Sequence, residues 1–92
     1  FYCDKLFLGV DSFSVEAGLS TPNVEEASTN QTMISRAREV IAVFDSSKIN
    51  KRALAFIAMP DKINTIITDK NIPQAVRSQL KAMNIAVETV SI

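Results

Sequence analysis

Asp45-Ser46-Ser47-Lys48 sets a carboxylate and an ammonium three residues apart, directly behind the apolar run Val40-Ile41-Ala42-Val43-Phe44. Where a buried strand of a parallel sheet ends, its last residues face the crevice that α/β proteins use for ligands. A lysine at such a place offers a cation on a flexible stem to a phosphate or carboxylate, and an acid beside it accepts hydrogen bonds from hydroxyls. Two further acids follow apolar runs, Asp11 after Leu6 to Val10 and Asp69 after Ile63 to Thr68. With the three strands parallel, all three carboxyl groups fall along one sheet edge. Aspartate also follows strands because it caps turns, and that is the preferred reading of Asp69. The chain holds no histidine, so acid/base chemistry near neutral pH would have to run on Asp, Glu, Lys or Tyr.

The elements that must position these residues alternate as short apolar runs and amphipathic stretches, the pattern of βα units around a parallel sheet. Leu6 to Val10 reads as a first strand with few polar interruptions, as in a strand covered on both faces. Residues 12 to 22, with Gly18 and Pro22, lack a clean period and read as a loop. A helix is expected from Val24 to about Arg38, with Asn23 as N-cap and Glu26 three residues later completing a capping-box variant. Ala27, Ile34 and Ala37 recur on one face with Met33 beside it, and Arg36 and Arg38 fall in the last turn, where cations suit the helix dipole. Val40 to Phe44 is the second strand. Ile49-Asn50 reads as a turn, and Ala53 to Ala58 as a short apolar stretch of either type, closed by Pro60. Ile63 to Thr68, β-branched at most positions, is a third strand. Pro73 opens a second helix with Val76, Leu80 and Met83 at helical spacing and Asn84 at its C-cap, and Ile85 to Val90 is the last strand.

Ninety-two residues, 47% apolar and 22% charged, describe one small globular domain with a marginal core. Ten basic residues balance ten acidic ones, which argues against this segment gripping nucleic acid by itself, since that takes clustered Lys and Arg. Cys3 is the only cysteine, so an internal disulfide and a cysteine-based zinc site are excluded within one chain. A reducing cytoplasm is the expected compartment. No apolar stretch approaches about 18 residues and no basic, then apolar, leader is present. Because the sequence opens on Phe1 and runs almost at once into a strand, it is expected to be a piece of a longer protein.

These residues carry a family resemblance over nearly the whole chain. Asp4-Lys5-Leu6-Phe7-Leu8-Gly9-Val10-Asp11-Ser12-Phe13, Gly18-Leu19-Ser20-Thr21-Pro22-Asn23 with Glu26-Ala27, Met33-Ile34 and Ala37, Asp45-Ser46-Ser47-Lys48 and Ile67-Thr68-Asp69, in that order, resemble the second half of the sugar-sensing domain of DeoR-type bacterial transcriptional regulators. The resemblance implies a mostly parallel α/β sheet flanked by helices, part of a fold similar to ribose-5-phosphate isomerase, glucosamine-6-phosphate deaminase and the coenzyme A transferases. It implies that residues 1–92 are a fragment of one effector-sensing domain, without the N-terminal winged helix-turn-helix and without the first half of the sensing fold, which carries a phosphate-cradling loop. The function implied is that of a regulator, usually a repressor, of sugar-metabolism genes. It would respond to a phosphorylated sugar, bind operator DNA through the absent N-terminal domain and work as a homo-oligomer; no membrane, metal or cofactor is expected.

Carried over residue by residue, the resemblance implies that Asp11 accepts from sugar hydroxyls, that Lys48 meets the phosphate or an anionic sugar oxygen, and that Asp45 orients Lys48 or binds a hydroxyl. Thr21, Asn23 and Glu26 match the loop and helix start that face the same pocket, although an N-cap pair explains Asn23 and Glu26 equally well. Ser12 replaces a glycine usual after the loop acid, so a side chain stands where the backbone normally tolerates positive φ, a change expected to reshape the loop or narrow the pocket. Asn50 replaces another, and Asn tolerates the left-handed region. Related deaminases and lactonases carry a histidine where Phe13 stands, which favours binding without turnover. The alternatives are an isomerase-like enzyme, with Asp11 as base and Lys48 stabilising an enediolate, and an oligomerisation module in which Ala53 to Met59 forms an interface, although core is the preferred reading of that stretch.

Overall fold

The computed structural model describes residues 3–91. A four-stranded parallel sheet is built from β1 (Cys3–Gly9), β4 (Ala37–Val43), β6 (Thr65–Asp69) and β7 (Ala86–Val90), adjacent in that order. Beside it lies a small antiparallel sheet of β2 (Ser12–Ser14), β3 (Gly18–Thr21) and β5 (Ala55–Ala58). Two helices complete the fold: α1 (Val24–Ser35) between β3 and β4, and α2 (Gln74–Ala82) between β6 and β7. The expected mixed α/β class with a mostly parallel, helix-flanked sheet is the one observed.

Local chemistry explains where the elements stop. Asn23 caps α1, its side chain accepting from the Glu26 N–H at 2.9 Å. The helix ends at Ser35, three residues before the expected Arg38, because Ala37 already pairs with Cys3 as β4 begins. Arg36 is therefore the C-cap and Arg38 a strand residue, and neither lies in the last helical turn. Ala27 and Asn30 are the buried helix residues, Ile34 is half-buried, and Met33 faces outward. At the far end of α2, Asn84 takes φ 62°, with the Ile85 N–H on the Leu80 carbonyl and the Asn84 N–H on the Lys81 carbonyl. That is the 6→1 and 5→2 pair of a Schellman motif, and asparagine is one of the few residues that tolerates its left-handed position.

The expected loop over residues 12–22 is in fact the β2–β3 hairpin, and the ambiguous Ala53–Ala58 stretch contains β5. Gly18 is what lets them meet. Its φ is +81°, and a Cβ there would lie 2.1 Å from the Ala58 carbonyl oxygen. Ser12, where a glycine would tolerate positive φ, is an ordinary strand residue paired with Ser20, and Asn50 and Asn84 are the non-glycine residues with positive φ among those described. The substitution at residue 12 therefore costs no backbone strain.

The two faces of the parallel sheet are unlike. Leu8, Val10, Ala42, Phe44 and Ile66 form one core cluster with Ala27 of α1, Val76 and Leu80 of α2 and the small sheet. Register places Phe7, Ile41, Thr65 and Ala86 in one row of the opposite face, and Gly9, Val43, Ile67 and Glu88 in the next. There Phe7 is 63% exposed, Val43 39% and, farther along β7, Val90 47%. The strands are added in one direction only, β1 to β4 to β6 to β7, and crossovers of constant hand then fall on a single side.

Candidate functional site

Because β1, β4 and β6 are parallel neighbours, Asp11, Asp45 and Asp69 stand along the same edge of the sheet. They do not converge into a metal-binding cluster: among the described residues no three His, Cys, Asp or Glu side chains are grouped to hold an ion. Each carboxylate has its own employment.

Asp11 is exposed, two residues beyond β1, and its Oδ2 accepts from the Thr21 hydroxyl at 2.8 Å. Thr21 is 1% exposed, so it holds Asp11 from behind. The bond also brings the start of α1 beside Asp11, because Thr21 closes β3 and Val24 opens the helix. Asn23 and Glu26 are exposed at that helix start, joined to one another by the cap.

Asp45 caps a 3-10 turn, Ser46–Lys48, accepting from the Ser47 N–H at 2.9 Å and from the Ser47 hydroxyl. The hydroxyl and then the N–H of Ser47 hold its carboxyl below the ordinary value, with Lys48 a smaller influence. Asp45 does not form an ion pair with Lys48; among the described residues the ion pair present is Arg38 with Asp4, at 3.8 Å on the surface. The half-buried Lys48 is thereby left without a carboxylate partner among the described residues.

Asp69 does more than end a strand. Its carboxylate reaches across to the Asp45–Lys48 loop, accepting from the Ser46 N–H at 2.5 Å and the Ser46 hydroxyl at 2.9 Å, besides the Asn71 N–H at 3.2 Å. The Ser46 N–H is the chief reason its carboxyl sits below the ordinary value. The contact to Asn71 is the turn-capping role expected from sequence, whereas the link to Ser46 spans 23 positions and left no local signal.

Phe13 ties the two loops together. It is fully buried and its ring stacks on Phe44 with centroids 5.3 Å apart. Its backbone bridges to Ile49, just past Lys48, and its carbonyl accepts from the Lys51 N–H at 3.2 Å. The Asp11 loop and the Lys48 loop are thus anchored on one aromatic pair. A groove of about 570 Å³ lies elsewhere, between α1 and β5, lined by Gln31, Ile34, Phe56, Met59, Asp61 and Lys62 among others. Its lining includes none of Asp11, Asp45, Lys48 or Asp69.

Comparison with known proteins agrees on one family. Residues 1–70 match the family described as DeoR C terminal sensor domain. The chain is 44% identical over 73 residues to the "Putative aga operon transcriptional repressor" of Escherichia coli O157:H7, covering 79% of this chain and 27% of the relative. It is 34% identical over 84 residues to the HTH-type transcriptional regulator GlpR of Haloferax volcanii, covering 91% and 33%. With the HTH-type transcriptional regulator UlaR of Salmonella arizonae it shares 34% over 70 residues, covering 76% and 28%. The chain spans about a quarter to a third of the length of these relatives.

Proposed function

This chain belongs to the DeoR C-terminal sensor domain family, and on that premise we propose that it supplies one part of the effector site of a transcriptional regulator of sugar-metabolism genes, whose effector is a phosphorylated sugar. The observation that carries this reading is Lys48, a half-buried cation at a strand end with no carboxylate partner among the described residues. An ammonium so placed suits a phosphate as a point charge. Asp11, with one oxygen held by Thr21, offers its other oxygen to sugar hydroxyls, and Asn23 and Glu26 border the same region from the start of α1. Phe13, standing where related enzymes have a histidine, is sealed in the core. Its burial, in a chain without histidine, supports binding without turnover.

The rest of the regulator is proposed to lie in further residues of a longer polypeptide. Relatives named as HTH-type regulators support operator binding by a separate segment, and the zero net charge of these residues suits a part that does not itself grip DNA. The incompletely covered sheet face supports the same reading. Parallel sheets are normally covered on both faces, and strands added beyond the free edge of β1 would run their crossovers over Phe7 and Val43. A sheet extended that way reverses its order next to Asp11, at the kind of switch point where α/β proteins bind ligands.

The test is calorimetric titration of the full-length regulator with pentose and hexose phosphates, glycerol 3-phosphate and the unphosphorylated sugars. One phosphorylated compound is expected to bind at least tenfold tighter than its parent sugar, and Lys48→Ala to abolish that preference. Equal affinity of wild type and Lys48→Ala for every compound overturns the reading. Conversion of the bound sugar phosphate, followed by NMR, would establish an enzyme instead.

A further inference from the structure

We propose that Asp69 is a positioning residue for Lys48, acting through Ser46. The inference rests on the reading of Lys48 as the phosphate contact. Asp69 ends β6 while Ser46 follows β4, its parallel neighbour, so the carboxylate spans two strand ends. One oxygen takes the Ser46 N–H at 2.5 Å and the Thr68 hydroxyl at 3.5 Å, and the other takes the Ser46 hydroxyl at 2.9 Å and the Asn71 N–H at 3.2 Å. With both oxygens engaged and the residue only 9% exposed, Asp69 is no candidate for a ligand hydroxyl.

What it fixes is the root of the lysine. Ser46 opens the 3-10 turn whose third residue is Lys48, and the turn closes by the Lys48 N–H on the Asp45 carbonyl at 3.0 Å and the Ile49 N–H on the Ser46 carbonyl at 3.2 Å. Asp45 holds it on one side through Ser47 and Asp69 on the other through Ser46. Downstream, Ile49 is bridged to Phe13. The backbone is therefore held on both sides of Lys48, and the four-carbon stem is what remains to adapt. A flexible cation gains most from a fixed root, because less freedom is lost when it meets its anion. At metal sites, outer partners that orient a ligating side chain are worth roughly 10- to 100-fold in affinity, and the same logic applies to a lysine that meets an anion.

The experiment is a double-mutant cycle in the full-length regulator, titrated with the tightest-binding sugar phosphate of the panel and with its unphosphorylated parent. Asp69→Asn is expected to weaken the phosphorylated compound by roughly tenfold or more and to leave the parent sugar unchanged. In a Lys48→Ala background it should add almost nothing, since the two changes remove the same interaction. Ser46→Ala, which removes only the hydroxyl bond, should show a smaller effect of the same kind and serves if Asp69→Asn folds poorly. Amide exchange without ligand gives an independent reading: the Ser46 N–H should lose protection in Asp69→Asn. Wild-type affinity in Asp69→Asn, or an equal loss in the Lys48→Ala background, overturns the positioning role while the lysine's own role stands. A wild-type protein that binds no sugar phosphate overturns both.

Discussion

At the scale of single residues, the strand-end acids separate by how fully they are engaged: Asp11 and Asp45 through one oxygen each, Asp69 through both. Among the described residues Asp11 accepts from the Thr21 hydroxyl, whereas Asp45 and Asp69 each accept from both a backbone N–H and a hydroxyl of the Ser46–Lys48 turn. The Asp45 and Asp69 carboxyls lie below their ordinary values because those donors favour the charged form. A carboxyl whose pKa is lower folded than unfolded adds stability above its unfolded value, about 3.9 for Asp, and loses it as pH falls through the folded value. Stability to urea should therefore be level from pH 7 to about 5 and fall progressively below about pH 4. Asp69→Asn should be less stable at neutral pH and show a shallower acid decline, read as denaturation midpoints between pH 2 and 7. Sequence spacing brought out Asp11, Asp45 and Lys48 because each follows an apolar run. It could not bring out Asp69 as a clamp, since its partner Ser46 is contributed by a different strand end and only the sheet makes them neighbours.

At the scale of elements, the parallel strands and both helices were legible because burial on one side imposes a period and because Asn23 and Asn84 mark helix ends chemically. The small antiparallel sheet was not. β3 is buried at all four positions, Gly18 to Thr21, so it shows no alternation, and its composition is that of a turn. Its existence depends on β5, far along the chain, and on the absence of a side chain at Gly18. Gly18→Ala would set a methyl group against the Ala58 carbonyl and force a positive φ on alanine. We expect a loss of about 2–4 kcal/mol, seen as a lower urea midpoint with an unchanged slope. The early end of α1 has a similar origin: propensity would carry the helix on through Ala37, but pairing with β1 takes that residue for β4.

At the scale of the whole molecule, the chain is an unequally covered sheet. Helices and the small sheet seal one face into a continuous core, and Phe7, Val43 and Val90 look outward from the other. Among the described residues no helix is long and apolar enough to cross a membrane, so that face is not explained by a spanning helix. Its consequence is thermal. Unfolding raises the heat capacity in proportion to the apolar surface newly wetted, about 12–15 cal/mol/K per residue for ordinary domains. Side chains that already meet water in the native state add nothing to that increment. Scanning calorimetry of the 92-residue chain should therefore give an increment below this range and a correspondingly flat stability curve. A longer polypeptide that buries Phe7 and Val43 should recover the usual value, and a full-sized increment from the short chain would mean that the open face is closed in solution.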